Sequence, residues 1–240
     1  MKIRGVLFDK DGTLIDFDKT WQPVVTRLVE EIARGDAAEI GRMMRAVGFD
    51  EASGRFLPGS IFAAGTNAEL AVAWHPDLAG EALAQKVVEY DAYYSAASAE
   101  ASVPVTDLAK VLGDLRAQNM RLGIATNDVT AGADEFVRGA GLEALFDFIT
   151  GYDGVPAAKP AGDMVVAFCG AVGLAPGEVA VVGDNTHDLE MGVASGAGHK
   201  VGVLTGTGSR ADLEPFADII LDHIDQLPAH LDELNAGAAV

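Results

Sequence analysis

Residues 8 to 14, FDKDGTL, put two carboxylates, Asp9 and Asp11, two positions apart at the end of an apolar run. Asp, Gly and Thr are ordinary turn formers, so a solvated turn capping a strand accounts for this stretch on its own. A chemical reading competes with it. Residues i and i+2 of an extended chain project to one side. That geometry suits Asp9 as an attacking group and Asp11 as a general acid, then base. A carboxylate is an established type of nucleophile, including toward phosphorus.

Three further stretches bear on the choice. Thr126 and Asn127 follow the apolar run RLGIA, Lys159 lies in AAKPAGD, and Asp184, Asn185 and Asp188 lie in GDNTHD after VAVVG. Brought to one rim, these are four acids, one lysine, one hydroxyl and several loop amides. Clustered acids raise one another's pKa unless a cation sits among them. Mg2+ takes oxygen ligands and is held by one or two carboxylates together with waters and substrate phosphate. Phosphoryl transfer needs mainly positioning and neutralisation of the equatorial oxygens.

A sheet has to bring these residues together. RLGIAT (121–126), FDFIT (146–150), EVAVVGD (178–184), KVGVL (200–204) and ADIIL (217–221) read as strands, as does 3–8. Near-continuous apolar runs of this kind fit a parallel sheet covered on both faces. Between them, 106–119 sets Leu108, Val111, Leu112 and Leu115 on one helical face. Gly141, Gly173 and Gly198 stand where helices are expected to stop. The alternation predicts an open, Rossmann-like α/β fold of right-handed βαβ units. Ligands of such folds bind at the carboxyl ends of the strands.

One segment departs from the alternation. Residues 16–96 are mostly helical in pattern, with GRFLPGSIFAAGTN (54–67) as a loop between helical parts. The expected organisation is an α/β core of residues 1–15 and 97–240 with an all-helical domain, 16–96, inserted after the first strand. FLPGSIFAAGT is the part of the insertion expected over the site, since loops carry specificity. The final NAGAAV reads as a frayed tail.

DKDGTL, Thr126-Asn127, Lys159-Pro160 and GDNTHD occur in the order of the four motifs of the haloacid dehalogenase superfamily. The helical insertion resembles the cap of its phosphoglycolate phosphatase-like members, and the resemblance covers essentially the whole chain. It implies the following roles. Asp9 is the nucleophile and a magnesium ligand. Asp11 is the general acid/base, its backbone carbonyl touching the metal. Asp184 is a direct ligand, and Asp188 holds metal-bound water. Thr126, the Asn127 amide and Lys159 bind the transferring phosphoryl group, and Gly12 permits the sharp turn beneath it.

The implied activity is magnesium-dependent hydrolysis of a small phosphorylated metabolite through an aspartyl-phosphate. 2-Phosphoglycolate is the first substrate candidate and a sugar phosphate the next. An acid at position 11 sets the chain apart from the metal-free dehalogenases. A phosphomutase of the β-phosphoglucomutase type, a 2-haloacid dehalogenase and a non-catalytic phosphate-binding regulatory protein remain alternatives. Lys10 departs from the apolar residue usual in capped relatives and is expected to point away from Asp9 as a structural partner.

Composition narrows the field further. With 17 Lys and Arg against 36 Asp and Glu, the net charge of −19 argues against nucleic acid and anionic membranes as partners. No run of about 18 apolar residues exists, and the N-terminal MKIRGVLFDKDG lacks the apolar core of a signal peptide. A cytoplasmic protein, monomeric or homodimeric, is expected. The single Cys169 reads as a buried hydrophobe. Trp21 and Trp74 read as packing residues, Arg42, Arg45 and Arg55 as solvated, and His187 as a helix-start residue.

Overall fold

The computed structural model describes residues 2–237. The chain begins with strand β1 (Gly5–Phe8) and then enters the insertion. Helices α1 (Phe17–Ile32) and α2 (Ala37–Ala46) come first, then a hairpin of β2 (Phe49–Asp50) and β3 (Arg55–Phe56). Helices α3 (Ile61–Ala64), α4 (Asn67–Trp74) and α5 (Gly80–Ala101) complete it.

The rest of the chain alternates. It runs α6 (Leu108–Ala117), β4 (Arg121–Ala125), α7 (Thr130–Gly139), β5 (Phe148–Thr150), α8 (Asp163–Val172) and β6 (Val179–Gly183). It continues through α9 (Thr186–Ser195), β7 (His199–Val203), α10 (Arg210–Leu213), β8 (Ile219–Leu221) and α11 (Leu227–Gly237). The described part of the tail, 235–237, closes α11, and 238–240 lie outside the described residues. Among the described residues, no helix is long and apolar enough to cross a membrane.

The six main strands form one parallel sheet in the order β5-β4-β1-β6-β7-β8. This is the expected α/β architecture. Alternation along β1 sends Val6 and Phe8 into one hydrophobic cluster and Leu7 into the other, so both faces of the sheet are covered. β1 lies in the middle, with β4 and β5 to one side and β6, β7 and β8 to the other. The order therefore reverses at β1, and a crevice opens beyond the carboxyl ends at that switch point.

Several local expectations are corrected. The segment 54–67 is not a plain loop: β3 and α3 lie within it. The insertion is thus helical apart from the hairpin, which turns through Gly54 at φ 70° with the Asp50 carboxylate accepting from the Ser53 amide at 2.9 Å. Helix α5 runs unbroken through SAASAEA to residue 101, past the expected boundary at 96. Gly173 (φ 70°) and Gly141 (φ 68°) do follow their helices, but Gly196 (φ 73°) rather than Gly198 closes α9. Gly198 is required for a different reason: a Cβ there would stand 2.0 Å from the Gly177 carbonyl oxygen.

Helix starts are set by side chains. Asp16 accepts from the Lys19 amide at 3.0 Å and begins α1, and Asp36 accepts from Ala38 at 2.9 Å and begins α2. Thr66 and Glu69 form a capping box on α4. Each such cap contributes about 1 kcal/mol.

Candidate active site

Three neighbouring strands deliver the site. Asp9 follows β1, Thr126 follows β4, and Asp184 follows β6. Adjacent strands lie about 4.8 Å apart, so residues at their ends are already close before any loop adjusts. Lys159 arrives from the loop before α8. Its Nζ donates to Asp9 Oδ1 at 2.6 Å and to Asp188 Oδ1 at 2.7 Å, and the lysine side chain is fully buried. Carboxylate oxygens of Asp9, Asp184 and Asp188 all lie within 4.8 Å of one another.

The electrostatics of this cluster are those of an acid-rich pit. Burial pushes the Asp9 carboxyl up to about 7, with Asp188 and Asp11 adding to the rise against the pull of Lys159. Asp184 is held well above the usual carboxylate range by burial and by its neighbours Asp9 and Asp188. Asp188 goes the other way: Lys159 overcomes its burial and lowers it. The lysine is raised in turn by Asp188 and Asp9.

Two observations test whether a cation fits. Asp9 Oδ2 is buried with no hydrogen-bond partner. Three acids, only two of them bonded to Lys159, make an all-oxygen donor set, the kind that a hard divalent ion prefers. The residues present fit such an ion.

Asp11 stands apart from the three. Its carboxylate accepts from Lys10 Nζ, 3.0 Å from Oδ1, and from the indole N–H of Trp21 on α1. Lys10 does not merely point away. It is wholly buried, its Nζ is 3.2 Å from Asp128 Oδ2, and it lies 4.8 Å from the Trp21 ring centroid. Its pKa rises because Asp11 and Asp128 outweigh the burial. Trp21 is therefore more than a packing residue, because it links the insertion to Asp11. Trp74 does pack as expected, with its N–H donating to the Met43 carbonyl at 2.9 Å.

The loop after β4 is ordered from within. Thr126 Oγ1 accepts from the Asp128 amide at 3.1 Å, and Asn127 Oδ1 accepts from the Lys159 amide at 3.2 Å. The Asn127 amide group also donates to the Ala64 carbonyl at 2.9 Å, a second link to the insertion. In GDNTHD, the Asn185 amide donates to Asp188 Oδ2 at 3.0 Å. This turns Asp188 back over the start of α9.

Sequence reasoning missed the loop after β7. Its Thr207 amide donates to Asp184 Oδ2 at 2.8 Å, and Thr205 Oγ1 donates to the Gly12 carbonyl at 2.6 Å. Gly12 has φ 89°, and a Cβ there would lie 2.6 Å from the Asp184 carboxylate; at Gly206 the distance would be 1.9 Å. The signal was present: TGTGS is a Gly/Thr-rich loop at the carboxyl end of a strand.

Above these groups lies a cavity that is partly open to solvent. Asp9, Asp11, Thr126, Asn127, Asp184 and Asp188 line it, with Phe17, Trp21, Phe62 and Tyr94 from the insertion. The expected stretch of the insertion does reach it, through residues 61–66. His187 also lines it, and burial pushes that imidazole down. Arg42, Arg45 and Arg55 do not line it.

Fold and site together define an open-sheet α/β enzyme. The model of the haloacid dehalogenase-like hydrolases matches residues 3–196, and the chain belongs to that family. It is 28% identical over 249 residues to a phosphoglycolate phosphatase of Shigella boydii, covering 95% of this chain and 92% of that one. It is 25% identical over 244 residues to an N-acetylmuramic acid 6-phosphate phosphatase of Pseudomonas putida, covering 99% and 100%. A haloacid dehalogenase-like hydrolase structure from Bacteroides fragilis superposes with a TM-score of 0.73 at 23% identity, covering 94% of this chain and all of that one. The family makes the chain a hydrolase, and both of these relatives are named as phosphatases.

Proposed function

We propose that the chain is a magnesium-dependent phosphatase that hydrolyses a small phosphorylated metabolite in the cytoplasm through an aspartyl-phosphate on Asp9. The observation that carries this reading is Asp9 itself. One carboxylate oxygen is fixed by Lys159, and the other is buried, unpartnered and at the cavity. Asp9, Asp184 and Asp188 would hold the magnesium ion, whose charge would keep Asp9 ionised and neutralise phosphoryl oxygens.

In the first step a carboxylate oxygen of Asp9 forms a bond to phosphorus as the ester oxygen departs, and Asp11 gives that alkoxide its proton. In the second, Asp11 takes a proton from water, the water oxygen bonds to phosphorus, and the Asp9–phosphorus bond breaks. Inorganic phosphate leaves and Asp9 is restored. Lys159 and the Thr126–Asn127 loop hold the equatorial oxygens during both steps. The insertion acts as a cap that excludes bulk water.

The relatives named above support a small phosphomonoester. 2-Phosphoglycolate and sugar phosphates are both candidate substrates on that ground. The deciding experiment is turnover of p-nitrophenyl phosphate with and without magnesium. Phosphate release that needs magnesium and falls by about 10^3-fold or more in Asp9→Asn is expected. An active Asp9→Asn protein refutes the mechanism.

A further inference from the structure

The two halves of the cavity differ in chemistry. Its floor carries the aspartates. Its opposite wall, from the insertion, is mainly aromatic and aliphatic, with Phe17, Trp21, Phe62, Leu70 and Tyr94 beside the uncharged Thr66 and Asn67. The rings brace one another edge to face, with centroids 5.7 Å apart for Trp21 and Tyr94 and 5.8 Å for Phe17 and Phe62. Such rings form a wall with little freedom to rearrange.

Among the described residues, no lysine or arginine lines the cavity. Three arginines of the insertion are paired elsewhere, Arg42 with Glu39, Arg45 with Glu51 and Arg55 with Asp18, and Arg27 and Arg34 also lie off the cavity lining. Below the floor, Lys10 already holds two carboxylates, and Lys159 holds two more and, in the proposed mechanism, the phosphoryl group, which leaves neither for a second anion. A second anion on the substrate would meet the apolar wall with no cation to pair with and with aspartates facing it. An unpaired buried charge is among the most costly arrangements a site can contain.

Two polar groups at this cavity lack partners. The Tyr94 hydroxyl and His187 Nδ1 are both shielded from solvent, and neither has a hydrogen-bond partner among the described residues. Unmet buried polar atoms destabilise the free protein and favour a ligand that satisfies them. A hydroxyl group does so without bringing charge.

We infer that the leaving-group half of the cavity takes a neutral, hydroxyl-bearing alcohol, of the polyol or sugar kind, and rejects an alcohol that carries a carboxylate. This rests on the phosphatase reading and selects between its two substrate candidates, against 2-phosphoglycolate.

Matched pairs test it. 2-Phosphoglycolate is compared with 2-hydroxyethyl phosphate, and 6-phosphogluconate with glucose 6-phosphate, with p-nitrophenyl phosphate as a general reporter. Each pair differs chiefly by a carboxylate. The neutral member of both pairs is expected to have the higher kcat/KM, by on the order of 100-fold. Equal or faster turnover of the carboxylate member in either pair, with p-nitrophenyl phosphate still hydrolysed, overturns this inference and leaves the phosphatase reading standing. No magnesium-dependent turnover of p-nitrophenyl phosphate overturns both.

A gain-of-charge experiment checks the cause. Leu70→Arg and, as an independent site, Phe62→Lys each put a cation on the wall. Either is expected to narrow the gap within a pair by about tenfold. If each folds yet keeps the original discrimination, the missing cation is not its source and the inference fails.

Discussion

Lys10 and Asp128 form an ion pair beneath the cavity floor, Nζ to Oδ2 3.2 Å, with the lysine wholly shielded from water. The same Nζ holds Asp11, 2.9 Å away. One cation thus compensates two acids that burial would otherwise make costly.

Removing that cation strands both acids. Lys10→Met is expected to lower unfolding free energy by about 3–5 kcal/mol. The double variant Lys10→Met/Asp128→Leu is expected to recover much of the loss, because it removes the stranded Asp128 charge along with its partner. Chemical denaturation of the single and double variants measures the coupling. Additive losses would show that the pair is not a unit.

Without a divalent cation, Asp9 makes the protein's stability depend on pH. Its folded pKa is about 7, against an ordinary 3.8. Between these values the folded state holds a proton that the unfolded chain has lost. Stability from this group therefore falls as pH rises through that window. Thermal midpoints in EDTA are expected to fall less from pH 5 to pH 8 in Asp9→Asn than in the unaltered protein. Magnesium is expected to raise the midpoint most at pH 8, where it does not compete with the Asp9 proton.

A second pH effect has the opposite sign and a different place. His199 Nε2 and His230 Nε2 are 2.8 Å apart, and the rings stack at 5.1 Å where α11 meets β7. Burial lowers both pKa values below 6.5, His199 being lowered further by His230 and raised by Asp218. The unfolded chain therefore binds the protons first, and stability is lost as pH falls below about 6.5. His230→Phe is expected to be less sensitive to acid between pH 7 and pH 5, read by urea midpoints. An unchanged slope would remove the pair as the source.

The loop after β7 yields a prediction about metal affinity. A Cβ at Gly206 would meet Asp184 Oδ2 at 1.9 Å. Gly206→Ala is expected to displace that carboxylate and weaken magnesium binding by about 10–100-fold, as loss of supporting contacts does at other metal sites. Calorimetric titration measures it, with circular dichroism showing the fold retained.

How much of this could be read from the sequence follows from which forces are local. The strands were legible because each is a short apolar run bounded by turn residues. Asp9, Thr126 and Asp184 were legible because strand ends converge wherever a parallel sheet forms, and Lys159 and Asp188 because they lie in a loop and a helix start beyond such ends. Helix α5 overran its expected end because alanine and serine carry no stop signal after Tyr94. Gly198 was misread because its need is a close approach to Gly177, which only tertiary packing creates. Trp21 and Asp128 were missed for the same reason: their partners are Asp11 and Lys10, and nothing in their own neighbourhoods announces a buried polar contact.

The central place of β1 has a further consequence for how the chain assembles. Gly5 pairs with Arg121 on one side and Val179 on the other, so neither neighbour of the first strand is near it in sequence. Each pairing must close a long loop before any contact repays the entropy. During synthesis, Asp9 emerges with β1 and then waits, with its strand unpaired, until the whole insertion and α6 have been made and β4 follows. The α-helices of the insertion are the first local structure available to shield that waiting edge.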